Sequence, residues 1–560
     1  MAEKAQPAGG VSEGAIGRYA LLAEVGWFAL FCLFVFLLHY LRLENGDIWE
    51  HVKMGQIIVA ARGIPEGRPI LWTLPGQPWL PQSWLFQVLV YGLYRAGGLL
   101  ALYLWEVALV VAAFWLLYRL WRRERGSRLA GAALIALGAL ASAPRFQIRP
   151  DACTAVALAL LLGLWAAYRH GRRKMLWALI PLGLIWANLH VGVLLGLLVL
   201  LVLLVGETWE RLPWARQEKR GWPWQDKRWR HLLALSAAFA LSTLITPSGW
   251  RLHAWLLSPE LRQMIPHISE NRPLWEVFPY FKSPLLALTA LTVTTIALVI
   301  WGRKSIPRAA PLLLVVFLPI ALRMMRQVWP LVMVSLGVCA LALRAIREQQ
   351  PAPQSLPLRL RRWTAAAGWV LLLCAMAFGV QQRWSERAWT GRRTGVGVNA
   401  DLLPIGAANW LMHHRPPGRL FNTFEDSYYL AFRLWPTYRA LCGRLHRLSA
   451  GTFPSLRTYR PVAQSHSCPR CDGSDNRRHG PGRGLFRSGA ALRKRSRVGG
   501  RLWRRGFYRL PAQQPNLHPD NPFARLPRGA FRLRRDSHWS GGRGRERSRA
   551  HSPGGRDDRP

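Results

Sequence analysis

Roughly eleven apolar runs, each followed by a short charged linker, fill residues 20 to 380 and leave few folds open to this chain. A helix needs about 20 apolar residues to cross the hydrocarbon core of a bilayer, and cores of soluble domains rarely need one that long. The runs are Tyr19–Leu43, Gly98–Trp121, Leu129–Ala143, Ala152–Tyr168, Met175–Ala187, Val191–Gly206 and Leu232–Thr246, then Leu285–Trp301, Ala309–Leu322, Val328–Leu343 and Thr364–Val380. Several are nearer 15 residues, so ten to twelve spans are expected. This pattern predicts an all-α polytopic membrane protein with about 11 transmembrane helices.

The linkers alternate between two characters. With the N-terminus inside, the cytoplasmic ones are Arg122–Arg128, Arg169–Lys174, Glu207–His231, Gly302–Arg308 and Arg344–Trp363. Together with the N-terminal arm they hold about 25 Lys/Arg in roughly 83 residues. The opposite linkers hold about 12 in roughly 106 residues, so the positive-inside rule is met through every span. The first span is long, lacks a small-x-small cleavage site, and reads as a retained anchor rather than a signal peptide. The 29 tryptophans suit belts at the two membrane interfaces. Trp84–Tyr94 is apolar but short, which predicts a segment lying along the interface. Cys32, Cys153, Cys339 and Cys374 sit in or beside spans and suggest no disulfide framework.

The formal charge of +46 is unevenly spread. From Leu441 onward there are 28 Lys/Arg and 7 Asp/Glu, giving +21, without sustained apolar periodicity. Three readings stand side by side: a disordered basic extension, a nucleic-acid-binding tail using clusters such as Arg493-Lys494-Arg495, and a frameshifted translation. The topology puts this tail outside the cytoplasm, so no nucleic-acid partner is expected. Cys468-Pro469-Arg470-Cys471 is a lone CxxC, and a zinc site ordinarily needs a second pair.

The chemistry-bearing residues fall in the other set of linkers. Glu44–Gly97, the longest, opens on Asp47-Ile48-Trp49-Glu50-His51. In a helix Asp47, Glu50 and His51 would share one face, a grouping able to act as a general base or hold a divalent cation. Solvated loop charges are the plain alternative. No repeated carboxylate motif fixes a metal, so no metal or other cofactor is assigned. Arg145-Phe146-Gln147-Ile148-Arg149-Pro150-Asp151, Trp186-Ala187-Asn188-Leu189-His190 and Arg323-Met324-Met325-Arg326 occupy further short turns. Ionisable groups at membrane depth usually face a cavity, and paired arginines suit phosphate, although each pair could instead anchor lipid headgroups. Thr246–Lys282, with Glu260, Arg262, His267, Glu270, Arg272 and Glu276, reads as an ordered external loop with no assignable chemistry. The polar groups fall at span ends rather than centres, which favours an enzyme over a transporter.

Asp47-Ile48-Trp49-Glu50-His51 with Gly55-Gln56-Ile57 and Gly63-Ile64-Pro65 resembles the first outer loop of bacterial multi-spanning GT-C-like proteins. That group is similar to dolichyl-phosphate-mannose and aminoarabinose-type glycosyltransferases. Gly76-Gln77-Pro78-Trp79, Trp84-Leu85, Arg149-Pro150, Asn188-Leu189-His190 with Gly192, and Pro247-Ser248-Gly249-Trp250 add to the resemblance. So do Gly418-Arg419-Leu420-Phe421-Asn422, Tyr428-Tyr429-Leu430 and Pro436. The resemblance covers roughly residues 20 to 440. It implies a multi-pass protein of the bacterial inner membrane that transfers a sugar from a polyprenyl-phosphate donor to an envelope acceptor on the periplasmic face. It implies Asp47 as the catalytic base that removes the acceptor hydroxyl proton, with Glu50 and His51 beside it. Arg145, Arg149, Asn188, His190, Arg323 and Arg326 would bind the lipid phosphate or acceptor. A transporter or flippase, and a non-catalytic membrane scaffold, are the alternatives. The expected organisation is a cytoplasmic arm over residues 1–18, a GT-C-like transmembrane domain over 19–380 with 44–97 as its first outer loop, and an outer segment over 381–440. A basic tail over 441–560 follows. Within the outer segment, Gln381–Asn399 reads as a linker, Ile405–His413 as helix-like and Arg419–Phe424 as strand-like, the start of a small α/β domain.

Overall fold

The computed structural model describes residues 13–43, 46–71, 80–212, 222–259, 268–277, 282–349, 357–389, 393–400 and 402–441. The Gly76-Gln77-Pro78-Trp79 motif, Glu260, Arg262, His267, the CxxC and the basic tail after Leu441 lie outside the described residues. The helices, in chain order, are α1 (Glu13–His39), α2 (Asp47–Ala61), α3 (Trp84–Arg123), α4 (Arg128–Ser142), α5 (Asp151–Arg169), α6 (Leu179–Leu189) and α7 (Val193–Trp209). They continue as α8 (Lys227–Ser242), α9 (Lys282–Trp301), α10 (Ala309–Arg323), α11 (Val328–Gln349), α12 (Leu358–Trp389), α13 (Ile405–His414) and α14 (Phe424–Leu434).

A helix lies at each of the apolar runs. Six stretches, Leu21–His39, Trp84–Arg123, Asp151–Arg169, Lys282–Trp301, Met325–Gln349 and Arg362–Ser385, are long and apolar enough to cross a membrane. Among the shorter helices, Val193–Trp209 and Ala309–Arg323 are apolar too. The chain is therefore a multi-pass helical membrane protein. In a bilayer every backbone polar group needs an internal partner, and helices provide that within one segment. Most buried is α11, whose flanks pack on α3, α4, α5, α9 and α10 and form the centre of the main core. The lipid-facing sides of α1, α9 and α12 keep large apolar residues exposed, among them Leu33, Val293 and Leu371.

Two local features differ from the sequence expectation, at Gln381–Asn399 and at Arg419–Phe424. Trp84–Tyr94 is a helical stretch of its own, parted from the span that follows by a non-helical break at Gly97 and Gly98 within α3, where Gly98 has φ +59°. A residue with a Cβ rarely takes that conformation, so the break falls on glycine. Gln381–Asn399 is not a linker at its start, because α12 runs on to Trp389, and the fully buried Arg383 donates to the Ala143 carbonyl at 2.9 Å. Arg419–Phe424 forms no strand. Thr423 caps α14 instead, accepting from the Asp426 amide and donating to Asp426 Oδ2 at 2.8 Å. This is a local helix-start device, and the described part of the outer segment consists of α13, α14 and isolated bridges rather than an α/β unit.

Residues 402–441 pack onto α2. Trp49 meets Tyr429 and Phe432 with ring centroids 5.4 and 4.7 Å apart. Isolated bridges tie Leu41 to Thr394, Leu43 to Val398 and Leu71 to Ala440. The Asn422 amide holds both the N–H and the carbonyl of Leu441, so the ordered segment extends past Arg439. Against α2 from the other side lies the start of α3, at a contact so close that only glycine fits. A Cβ at Gly55 would meet the Gln87 carbonyl oxygen at 2.0 Å and Tyr91 Cβ at 2.8 Å. Gly55→Ala is expected to cost about 3 kcal/mol, because the obstruction is backbone that cannot rotate away. Thermal unfolding in detergent would test this, and a variant as stable as wild type would show that α2 and α3 are not held this closely.

The end of the bundle away from α2 has its own brace. Glu207, 1% exposed, accepts from Arg169 at 2.8 Å, Arg211 at 2.6 Å and the Trp165 indole at 3.1 Å. Arg169 also reaches Glu210, and Arg211 reaches Asp226. These pairs fasten α5, α7 and the start of α8, so helix ends at that side cannot splay independently.

Candidate functional site

At the α2 end, the charged side chains singled out from separate linkers converge. Pro144–Pro150 turns the chain between α4 and α5, and brings two arginines to the bundle axis. Arg145, 3% exposed, pairs with Asp151 at 2.5 Å and with Glu270 at 3.2 Å. Arg149 pairs with Asp47 at 2.9 Å and also with Glu270. The result is one alternating chain, Asp47–Arg149–Glu270–Arg145–Asp151, drawn from α2, the α4–α5 turn, α5 and the segment 268–277. Glu270 is delivered there because its segment lies against the turn between α10 and α11, where the Met325 amide donates to the Arg272 carbonyl at 2.9 Å.

Burial and charge oppose each other at Glu270. Burial alone would raise its carboxyl, but Arg145, Arg149 and Arg326 outweigh that and hold it down at about 2. The same balance acts on Arg145. Burial disfavours its charge, yet Asp151 and Glu270 leave it more firmly protonated than an ordinary arginine. A depressed carboxyl stabilises the folded state above its ordinary value near 4.3, and that contribution fades as pH falls toward about 2. Its size is on the order of 3 kcal/mol at neutral pH. The protection of amides 268–277 against hydrogen exchange, relative to the unfolded rate at each pH, should therefore be high at neutral pH and fall between about pH 4 and pH 2. Glu270→Gln should show the lowered protection already at neutral pH. Equal protection in the variant would mean the segment docks by other contacts.

Arg326 differs from the other two arginines. It is half-buried beside Arg145, Arg149, Glu270 and Asp151, yet closes no ion pair within 4 Å among the described residues. Arg323, expected to join it, does not. It sits on the last turn of α10, exposed, with no contact to the network, because three residues of helix and turn rotate it away. Arg145 and Arg149 are likewise committed to carboxylates of the protein rather than open to a phosphate.

The two histidines flank the network. Burial pushes His190 down to about 4 in spite of the nearby Asp151, so it is neutral at physiological pH. Its Nδ1 lies 2.7 Å from Thr154 Oγ1, which accepts the Trp186 indole N–H at 3.0 Å. The Thr154 hydroxyl therefore ties the His190 ring to α6 through Trp186, the direction of its bond to Nδ1 following the histidine tautomer. Gly192 allows this close approach, since a Cβ there would lie 2.2 Å from Thr154 Oγ1. His51 is pushed down by burial as well, and its ring sits edge-on to Phe86 with Gln87 at 3.4 Å.

Two expected ligands turn inward to other partners. Glu50, 8% exposed, faces Arg68 at 3.6 Å and not the Arg149 side, so α2 carries Asp47, Glu50 and His51 to three different neighbours. Asn188 accepts from the Trp84 indole at 2.7 Å and donates to the Leu184 and Ile245 carbonyls. Its amide is fully used in joining α3, α6 and the end of α8. It lines, without a free polar atom to offer, a largely apolar cleft of about 470 Å³ with Trp84, Leu85, Ile185 and Pro247.

Sequence reasoning passed over Asp151, Glu270 and Glu106. The first two were visible in quoted segments but carried no local pattern. Glu106 is the lone acid of an otherwise apolar run, and an isolated carboxylate in a span is itself a signal. It lies eight residues past Gly98 in α3, roughly 12 Å deeper at 1.5 Å per residue. Polar groups are therefore not confined to span ends. Among the described residues no group of three or more His, Cys, Asp or Glu is arranged to hold a metal ion.

No protein-family model matches the sequence, and no curated protein matches it. Among solved structures, the chain is similar to the oligosaccharyltransferase of Archaeoglobus fulgidus, crystallised with a tethered acceptor peptide containing an NVT sequon. The TM-score is 0.45 and the identity 13%, covering 74% of this chain and 59% of that one, so this chain spans less than two thirds of that protein's length.

Proposed function

We propose that this protein is a glycosyltransferase of the bacterial inner membrane. It moves a sugar from a polyprenyl-phosphate donor to an envelope acceptor on the periplasmic side, with α2 and residues 393–441 facing outward. The observation that supports it most directly is the uncommitted Arg326 guanidinium beside an ion-pair chain that ends in Asp47, the chain's most exposed carboxylate. Asp47 takes the acceptor hydroxyl proton as that oxygen attacks the anomeric carbon. Negative charge then develops on the departing lipid phosphate, where a preplaced guanidinium is worth most. Arg326 supplies it, with the neutral His190 ring on the same side. Arg145 and Arg149 act one step back, fixing the carboxylates.

Full-length protein in proteoliposomes, supplied with polyprenyl-phosphate-linked sugars and envelope acceptors, tests this. Arg326→Gln should lower kcat for transfer about 100-fold, the loss of one preplaced donor to charge that develops in the transition state. Arg323→Gln should leave it unchanged. Equal effects of the two would overturn the placement of the phosphate, and absence of transfer from every donor would overturn the activity. A transporter is the second reading, favoured by one observation: the buried Glu106 inside a span.

A further inference from the structure

Glu106 is 0% exposed, and neither of its carboxylate oxygens closes a hydrogen bond of ordinary geometry, although the Arg149 backbone amide faces it. The titratable and charged groups around it are Asp151 and Cys153 of α5, together with Arg145 and Arg149 of the α4–α5 turn. On its own helix, Tyr103 donates to the Leu41 carbonyl and stacks edge-on with His39 of α1. Of the helices packed on α3 from the far side, α11 presents Trp329 and Ser335 among its buried polar groups, neither of which titrates in this range.

The charge count decides what Glu106 can be. Three carboxylates, Asp47, Asp151 and Glu270, stand against three guanidiniums, Arg145, Arg149 and Arg326, and the buried histidines are neutral. Among the described residues the network is balanced without Glu106. An ionised fourth carboxylate would be an uncompensated charge inside the span, next to Asp151 and with its oxygens unpaired, which a low-dielectric interior does not tolerate. We propose that Glu106 is an intramembrane proton-binding site, holding one proton as a neutral carboxylic acid beside the Arg145–Asp151 pair.

The assignment does not depend on the transferase reading, because it follows from the burial and unpaired oxygens of Glu106 and from the charges around it.

Infrared spectra of the full-length protein in nanodiscs at about pH 7, compared between wild type and Glu106→Gln, provide the test. The expected result is a protonated-carboxyl band in the wild type that is missing in the variant and shifted, not lost, in Glu106→Asp. Should Glu106→Gln fail to fold, the wild type alone suffices. Its band should persist from about pH 6 to pH 8, where solvated glutamates, ordinarily near 4.3, no longer contribute. No protonated-carboxyl band in the wild type at neutral pH, or one left intact by Glu106→Gln, overturns the proposal. Activity enters neither arm, so failure here leaves the transferase reading standing, and the reverse holds too.

Discussion

Arg145→Met is expected to be the most destabilising single change in the protein, by about 3 to 5 kcal/mol. The guanidinium is 3% exposed and serves two carboxylates at once, Asp151 at 2.5 Å and Glu270 at 3.2 Å. Its removal leaves both acids short of a partner in a place where water cannot replace it. The stability of a domain is itself only about 5 to 15 kcal/mol, so a large part would be lost. Thermal unfolding in detergent measures it. The mechanism makes a second demand, because the loss comes from unpaired charge and not from missing volume. Arg145→Met combined with Asp151→Asn, which removes one charge of each sign and leaves Arg149 paired with Asp47 and Glu270, should recover most of the stability, since replacing a buried ion pair by neutral residues is often close to neutral. If the single variant lost less than about 1 kcal/mol, the ion-pair chain would be a surface feature and not the strut of this end of the bundle.

The helices were legible in the sequence for a simple reason. Runs such as Val328–Leu343 and Leu285–Trp301 are apolar over enough residues that only a membrane or a large core can take them, and helices formed there. What the runs hid was where a helix continues past its apolar part. Gln381–Asn399 looked like a linker because charged residues follow the apolar run, yet α12 continues to Trp389 with Arg383 buried. Arg419–Phe424 looked like a strand because apolar and polar residues alternate. The signal that overrode it was local, Thr423 followed three residues later by Asp426, a helix-start pairing.

The candidate site was half legible. Arg145, Arg149, Arg326, Asp47 and His190 stood out because ionisable groups are costly between spans. Their partners did not stand out, since pairing is a long-range fact: Arg149 and Glu270 are 121 residues apart. Without Glu270 and Asp151, paired arginines read as a phosphate clamp. With them, two of the four arginines are held by carboxylates, Arg323 is elsewhere, and Arg326 is left beside the network with no ion pair among the described residues. Asn188 misled for the same reason, because a polar residue at a span end is as useful for joining helices as for holding a ligand.

Asp47→Asn separates the remaining readings most widely. Its side chain is 37% exposed, and Arg149 keeps Glu270 as a second partner, so the substitution should cost no more than about 1 kcal/mol. Asparagine also preserves an acceptor oxygen for Arg149, which keeps α2 in place. What it cannot do is accept a proton. A positioned general base is worth about 100- to 10,000-fold, so kcat for sugar transfer should fall by that factor while the donor KM stays within about threefold. Loss of kcat with an intact fold would assign the proton acceptor. Full transfer by Asp47→Asn would remove Asp47 from the chemistry and shift the search for a base to His51, whose burial keeps it neutral and able to accept. If neither Asp47→Asn nor Arg326→Gln altered any function in cells while both proteins remained folded, the network would be a scaffold's fastening and the chain would owe its role to assembly, not to chemistry.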